Sequence, residues 1–275
     1  MRSKRSSKEQ VNYLASVSDL MSALLFVFIL TLAVAIIQAR SAARTAQEEA
    51  QQARQATIEL LVTQKKLGTV ERRLRETANA LQSLLASLET RLRSRNIDAS
   101  ADTVRGILRI PESAVTFKVG SAALDSINLR KVEELGEVMS EEISCFLPKG
   151  RKTPHCRQTN PDGHTLDAVL IEGHTDNQSY RGDTTERRNR ILSAARANAV
   201  YEVMVLGNDD LRRMNNPKDE SLFSIAGYGA DRPLPGHAHK APTNDAANRR
   251  IEFRFLLTPP SVSADESRLI HSQAK

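Results

Sequence analysis

Hydrophobic and polar positions divide the chain into three regimes. From Leu20 to Ile37 no residue is charged, and only Ser22 and Thr31 are polar. These 18 residues make about 27 Å of α-helix at ~1.5 Å per residue, close to the ~30 Å hydrocarbon core of a bilayer. From Gln38 to about Arg95 the chain holds no Pro and a single Gly, Gly68, and is dominated by the strong helix formers Ala, Gln, Glu, Arg and Leu. Leu60, Leu67, Leu74, Leu81 and Leu88 recur every seven residues, the spacing of a left-handed coiled coil. The intervening positions are weak at Gln64, Glu71 and Ala78 and improve at Leu85 and Leu92, so the predicted seam is strongest over 81–92. A helix of this length reaches ~85 Å, enough to hold a domain well away from a membrane. The alternative is a single solvated helix; the five-fold leucine repeat favours dimerisation.

Beyond Asn96–Ala101, which is polar and without periodicity, the pattern becomes mixed. Arg105–Ile110 and Val115–Val119 read as one or two strands broken at Pro111, and Asp125–Phe146 reads as a helix. Residues 147–164 read as a polar loop, Leu166–Gly173 as a buried strand, and Glu186–Leu206 as a second helix. Leu222–Tyr228 and Arg249–Leu257 are the remaining strands, flanking a long loop over Ala230–Asn248. Two helices on one face of a mixed sheet is the economical arrangement. The expected fold class is therefore α+β, with one N-terminal transmembrane helix, a long helical spacer and a C-terminal domain. The boundaries read as 1–12 for a cytoplasmic tail, 13–38 for the membrane helix, 39–98 for the spacer, 99–258 for the domain and 259–275 for a flexible tail.

Charge orients this plan. The first eight residues carry Arg2, Lys4, Arg5 and Lys8 and no acid, which the positive-inside rule reads as a cytoplasmic N-terminus with the bulk of the chain on the far side, in the periplasm. A cleaved signal peptide, with Ala33-Val34-Ala35 as its cleavage site, is the competing reading; the run exceeds the ~7–15 residues of a signal h-region, which favours an uncleaved anchor. The net charge of +6 in 275 residues is not accompanied by stacking aromatics among the basic residues, so direct nucleic-acid binding is disfavoured. Cys145 and Cys156 are the two cysteines, separated by a polar stretch with Gly150 and Pro154. An intramolecular bridge across a loop insertion and two free thiols both remain open.

Four motifs in the C-terminal half carry the candidate chemistry. They are Gly173-His174-Thr175-Asp176, the run from Asn189 through Leu192-Ser193 to Arg196-Ala197, Gly227-Tyr228-Gly229 with Pro233, and Asn248-Arg249-Arg250 entering the last strand. In this order and spacing, with Gly120-Ser121 after the first strand, they resemble the OmpA-like peptidoglycan-binding domain over about residues 105–257. The resemblance implies helices on one face of a four-stranded mixed sheet and a ligand in the peptide stem of peptidoglycan, especially diaminopimelate. It implies that Asp176 and Arg196 grip the ends of that zwitterion, an anion for its ammonium and a planar fork for its carboxylate. Asn189 and Leu192 would line the same site, and Arg250 would support it. Two stretches depart from the family pattern: a longer, charge-rich segment between Asp176 and Asn189, with Arg181, Asp183, Glu186, Arg187 and Arg188, and an apparent insertion over Lys149–His164.

The N-terminal stretch has its own likeness. A basic tail and one helix with Asp19 near its cytoplasmic end, in the setting Ser18-Asp19-Leu20-Met21-Ser22-Ala23-Leu24, resemble MotB-type stator subunits of ion-driven motors. That resemblance implies that Asp19 is the ion-carrying carboxylate, with Tyr13 and Ser22 as neighbours on the ion path. Tyr13 reads equally as an interfacial anchor. It also implies a homodimer of these helices inside a ring of multi-span MotA-like (ZorA-like) subunits. Flagellar members usually carry a Trp-Lys or similar pair just before the Asp, absent here, and with the long spacer this makes ZorB subunits of the Zorya anti-phage systems the nearer likeness. The expected function is an inner-membrane stator that couples proton or Na⁺ flow to mechanical work. A flagellar-type stator and a passive membrane-to-peptidoglycan tether are the alternatives.

No nucleophile–base–orienter set, phosphate loop or catalytic carboxylate pair is evident, so an enzyme is not expected. No cofactor is expected either. His155, Cys156, His164, His174 and Asp176 match no standard zinc spacing, and His237 and His239 read as solvated loop residues, so no metal site is expected.

Overall fold

The structure, a computed structural model, describes residues 3–150, 153–179 and 185–259, and of residues 3–15 the backbone path alone. The described residues fall into two units, the first running to Gly68 and the second starting at Thr69. Helix α1 runs Ser3–Ser94. Its apolar stretch is unburied throughout, and the helix is long and apolar enough to cross a membrane. Asp19 and Ser22 are exposed on it, and the Ser22 hydroxyl donates to the Ser18 carbonyl at 2.8 Å. The Tyr13 side chain, Arg181, Asp183 and the tail beyond Pro259 lie outside the described residues.

The second unit is an α+β domain. Five strands, β1 (Ser100–Asp102), β2 (Ile107–Pro111), β3 (Leu166–His174), β4 (Phe223–Gly229) and β5 (Arg250–Leu257), form one sheet in the order β1-β2-β5-β3-β4. β1–β2, β2–β5 and β3–β5 pair antiparallel, and β3–β4 parallel. The helices are α2 (Ser126–Ile143), α3 (Pro154–Thr159), α4 (Thr185–Tyr201) and α5 (Asp209–Arg212). Asp125 caps α2, accepting from the backbone N–H of Ile127 and Asn128. α4 continues as a π-helical turn over Glu202–Leu206.

Strand alternation sorts the sheet's two faces. Leu108, Ile110, Val169, Ile171, Ile251, Phe253 and Phe255 point into a core shared with Val132, Leu135, Val138, Met139 and Ile143 of α2 and with Ala197 and Val200 of α4. Gly173 and Gly227 let α4 lie close on this face. A Cβ on Gly173 would stand 2.0 Å from the Ser193 carbonyl oxygen, and one on Gly227 2.6 Å from the Ala194 nitrogen. The other face carries Arg109, Glu172, His174, Arg250, Glu252 and Arg254.

The structure uses the leucine repeat unequally. Leu60, Leu67 and Leu74 are exposed, whereas Leu84, Leu85, Leu88 and Leu92 are fully buried in the core of the same chain. The apolar positions that strengthen the heptad pattern toward its end therefore serve the domain core. Ion pairs fasten this end of α1 to α2: Arg91 to Glu141 and Glu142, and Arg95 to Glu137.

Three segments differ from the sequence reading. Val115–Val119 is not a strand. The Ala114 and Val115 N–H groups turn back to the Pro111 carbonyl, and the Thr116 N–H bonds the Asn128 side chain instead of a neighbouring strand. β1 was hidden in the polar boundary, too short for alternation to register. Within the expected loop 147–164, Thr153 accepts from the Cys156 N–H and Pro154 opens α3, a capped helical turn. A disulfide joins Cys145 to Cys156, tying this turn to the end of α2.

Candidate binding cleft

The C-terminal end of β3, the start of α4 and the loops beside them enclose a cleft of about 330 Å³. β3 ends at His174, and the chain turns outward through Thr175 and Asp176, both almost completely buried. On α4, Asn189, Leu192 and Arg196 lie at i, i+3 and i+7, which places them on one helical face. All of Asp176, Asn189, Leu192 and Arg196 line the cleft.

Arg196 is held rather than dangling. Its Nε donates to the Ser121 carbonyl at 3.0 Å and its Nη2 to the Lys118 carbonyl at 3.2 Å. The guanidinium sits 5.1 Å from the centroid of the Phe117 ring, a cation–π contact. The segment read as a strand is therefore the seat of this arginine. Asn189 donates to the carbonyls of Asp176 and Gln178 at 3.4 Å each, bracing the turn that presents the carboxylate.

Asp176 is paired with Arg249, and the Asp245 N–H donates to its Oδ2 at 3.3 Å. Arg249 also bonds both oxygens of Glu112, at 2.7 and 2.6 Å. Those bonds to Glu112, with a further contribution from Asp176, raise its pKa against the opposing effect of burial. The wall thus presents two carboxylates and two guanidiniums, a lining suited to a zwitterion.

Glu112 is not singled out by the sequence, and Arg249 and Thr175 appear there only within their motifs, without a role of their own. Arg250 is singled out, but adjacent strand residues face opposite ways, and Arg250 lies beneath the cleft while Arg249 lines it. Arg250 is buried, donating to Glu252 at 2.7 Å and to the carbonyls of Asn248 and Arg232 at 3.2 and 3.0 Å. The signal that could have found Arg249 is the parity of the strand that follows it. The Thr175 hydroxyl is buried without a hydrogen-bond partner and belongs to the cleft wall, where it can serve a bound ligand.

Under the cleft, the second face of the sheet holds a buried charge network. Arg254 bonds both oxygens of Glu172 at 2.7 and 2.9 Å. Glu252 accepts from Arg109 at 2.9 Å and from Arg250, and His174 Nε2 stands 3.4 Å from its Oε2. Burial pushes the Glu252 carboxyl up, but His174 and Arg250 outweigh it and hold the group far below the usual carboxylate range. His174 stacks on Tyr228, with ring centroids 5.4 Å apart, and its pKa is lowered, mainly by burial.

The fold and the cleft together define an α+β domain that presents opposed charges at the edge of its sheet. Similar solved structures are a putative MotB-like protein from Desulfovibrio vulgaris (19% identity, 66% of this chain and 97% of that chain covered, TM-score 0.42), the periplasmic domain of Helicobacter pylori MotB (20%, 61% and 82%, TM-score 0.34) and the OmpA-like domain of FopA1 from Francisella tularensis (19%, 57% and 76%, TM-score 0.34). No family model and no curated protein matches the chain.

Proposed function

We propose that this chain is a peptidoglycan-anchored stator subunit of an inner-membrane ion-driven motor. The observation that carries this reading is the gathering of Asp176, Asn189, Leu192 and Arg196 around one cleft, with Arg249 and Glu112 completing a lining of both signs. A diaminopimelate-type stem offers an ammonium and a carboxylate, and such a lining meets both with charge-assisted hydrogen bonds. The N-terminus lies in the cytoplasm and the cleft in the periplasm, where the Cys145–Cys156 disulfide would persist. Two chains associate through their N-terminal helices within a multi-span MotA-like or ZorA-like ring.

Asp19 is the ion carrier in this reading. It is the one acid at the head of an otherwise uncharged span, and a carboxylate there is costly unless it faces protein or water. Burial in a ring favours the protonated acid, while water or a cation favours the carboxylate, so one group can take up and release a proton. The output we assign is anti-phage defence, following the likeness to ZorB subunits.

The passive tether shares the cleft and differs at Asp19, so that residue separates them. Asp19→Asn in the complex with its ring is expected to abolish ion flux and protection against phage, while leaving assembly and peptidoglycan attachment intact. Full activity of the variant would reject ion transport at Asp19 and leave the tether.

A further inference from the structure

The loop between β4 and β5, residues 230–248, carries a constellation that the cleft does not use. His237 and His239 stand one residue apart, and Asp245 follows six residues later. His237 Nδ1 and His239 Nε2 both lie 2.8 Å from the same oxygen, Oδ2 of Asp245. The two rings meet nearly edge to face, at 84° with centroids 6.4 Å apart, so two imidazoles approach one carboxylate oxygen from different directions. The three donor atoms lie within 4.8 Å of one another.

We propose that His237, His239 and Asp245 form a binding site for a divalent transition-metal ion of the zinc class. Two imidazole nitrogens and one carboxylate oxygen are the donor set that Zn²⁺, Ni²⁺ or Cu²⁺ takes, whereas Mg²⁺ and Ca²⁺ select oxygen. Three protein ligands are enough for zinc when water fills the fourth position. Donors around a tetrahedral zinc stand ~3.3 Å apart for ~2.0–2.1 Å bonds, so the present 2.8 Å contacts need to open by only about half an ångström. The histidine side chains are 43% and 36% exposed and can make that movement, and an ion can reach them from solvent.

The segments that bear the ligands are braced in ways that a solvated loop would not need. Asn248 Nδ2 donates to the His237 carbonyl at 2.9 Å and to Asp245 Oδ2 at 3.3 Å, and the Ala247 N–H donates to Asp245 Oδ1 at 3.0 Å. Asn177 donates to the carbonyls of His239 and Ala241 at 2.7 and 2.9 Å and accepts from the Thr243 N–H at 2.8 Å. These bonds hold the backbone that carries both histidines, and those to Asp245 orient its carboxylate, as outer partners of a ligating carboxylate do. A second cluster, Glu172, His174 and Glu252, has comparable proximity but is buried against the guanidiniums of Arg109, Arg250 and Arg254, which already serve its carboxylates and would repel a cation.

The site adjoins the cleft without depending on what the cleft binds. The Asp245 N–H donates to Asp176, and Asn244 is bonded to Arg249. An ion held by the loop therefore stiffens one wall of the cleft.

The test uses the full chain, purified in detergent without a histidine tag and stripped with a chelator. Titration with ZnCl₂ by calorimetry, and with CoCl₂ by visible absorption, is expected to give saturable binding of a single ion per chain, with MgCl₂ and CaCl₂ not competing. His239→Ala, at an exposed position, is expected to weaken Zn²⁺ binding about tenfold or more and to abolish the Co²⁺ bands. His155→Ala, which removes another part-exposed histidine paired with an acid, Glu142, is expected to leave both unchanged. Absence of saturable Zn²⁺ binding, wild-type affinity in His239→Ala, or equal competition by Mg²⁺ would each overturn the site. None of these readouts involves peptidoglycan, so their failure leaves the proposed anchoring function standing.

Discussion

At the scale of single residues, neighbours in sequence take opposite roles. Arg249 lines the cleft between Asp176 and Glu112, and Arg250 is spent on Glu252 beneath it. A two-arginine motif at the head of a strand thus supplies one wall and one support. His174 gives this buried support a measurable pH signature. Burial is the main reason its pKa lies below the ordinary 6.5, the positive Arg250 adds to the shift, and Glu252 opposes it. The unfolded chain then binds a proton below about pH 6.5 that the folded chain still refuses, so more protons are bound in the unfolded state and stability falls as pH drops through that window. Thermal melts of the wild type and His174→Gln between about pH 7 and pH 5 check this. The variant is expected to lose less melting temperature over the interval, and parallel curves would contradict the assignment.

At the scale of elements, α1 is one helix with two occupations. Its apolar N-terminal stretch is exposed throughout, whereas Leu84, Leu85, Leu88 and Leu92 are core residues of the domain. Leu88→Ala should therefore behave as a cavity mutation, costing about 2–5 kcal/mol and lowering the domain's melting temperature by about 5–15 °C. Leu67→Ala, at a position 67% exposed, should leave that melt within about 2 °C. Equal and small effects would instead place Leu88 outside the core. The same elements mark what a sequence can disclose. The helical spacing of Asn189, Leu192 and Arg196 and the alternation of Ile251, Phe253 and Phe255 follow from local periodicity, which is why α4 and β5 were legible. Periodicity is equally satisfied by Leu81–Leu92 in a seam between two chains or in a core, and tertiary packing alone decides. Val115–Val119 alternates as a strand does, but its backbone groups are taken by Asn128 and Arg196. The α3 turn depends on a cap and a disulfide eleven residues apart, which no periodicity announces. Its bridge closes a short loop and should contribute about 3 kcal/mol.

At the scale of the whole molecule, the proposed stator needs a fixed outer attachment for a helix whose uncharged apolar stretch is headed by a single acid, Asp19. The cleft gathers what such an attachment needs: a braced turn that presents Asp176, an arginine seated on Phe117 and two backbone carbonyls, and a buried hydroxyl at Thr175. In the proposed stator, anchoring and ion transport are separable, because Asp19 and the cleft belong to different units. Loss of the anchor should abolish mechanical output with Asp19 still in place, and loss of Asp19 should abolish ion flux and mechanical output while leaving peptidoglycan attachment intact. The most direct measurement is cosedimentation of the full chain, in detergent, with purified peptidoglycan sacculi, comparing the wild type with Asp176→Ala and Arg196→Ala, each verified as folded by circular dichroism. The wild type is expected to pellet with sacculi and to be released by soluble diaminopimelate-containing stem peptide, and both variants are expected to stay in the supernatant. A wild type that does not pellet, or a folded Arg196→Ala that pellets as well as the wild type, would contradict the account.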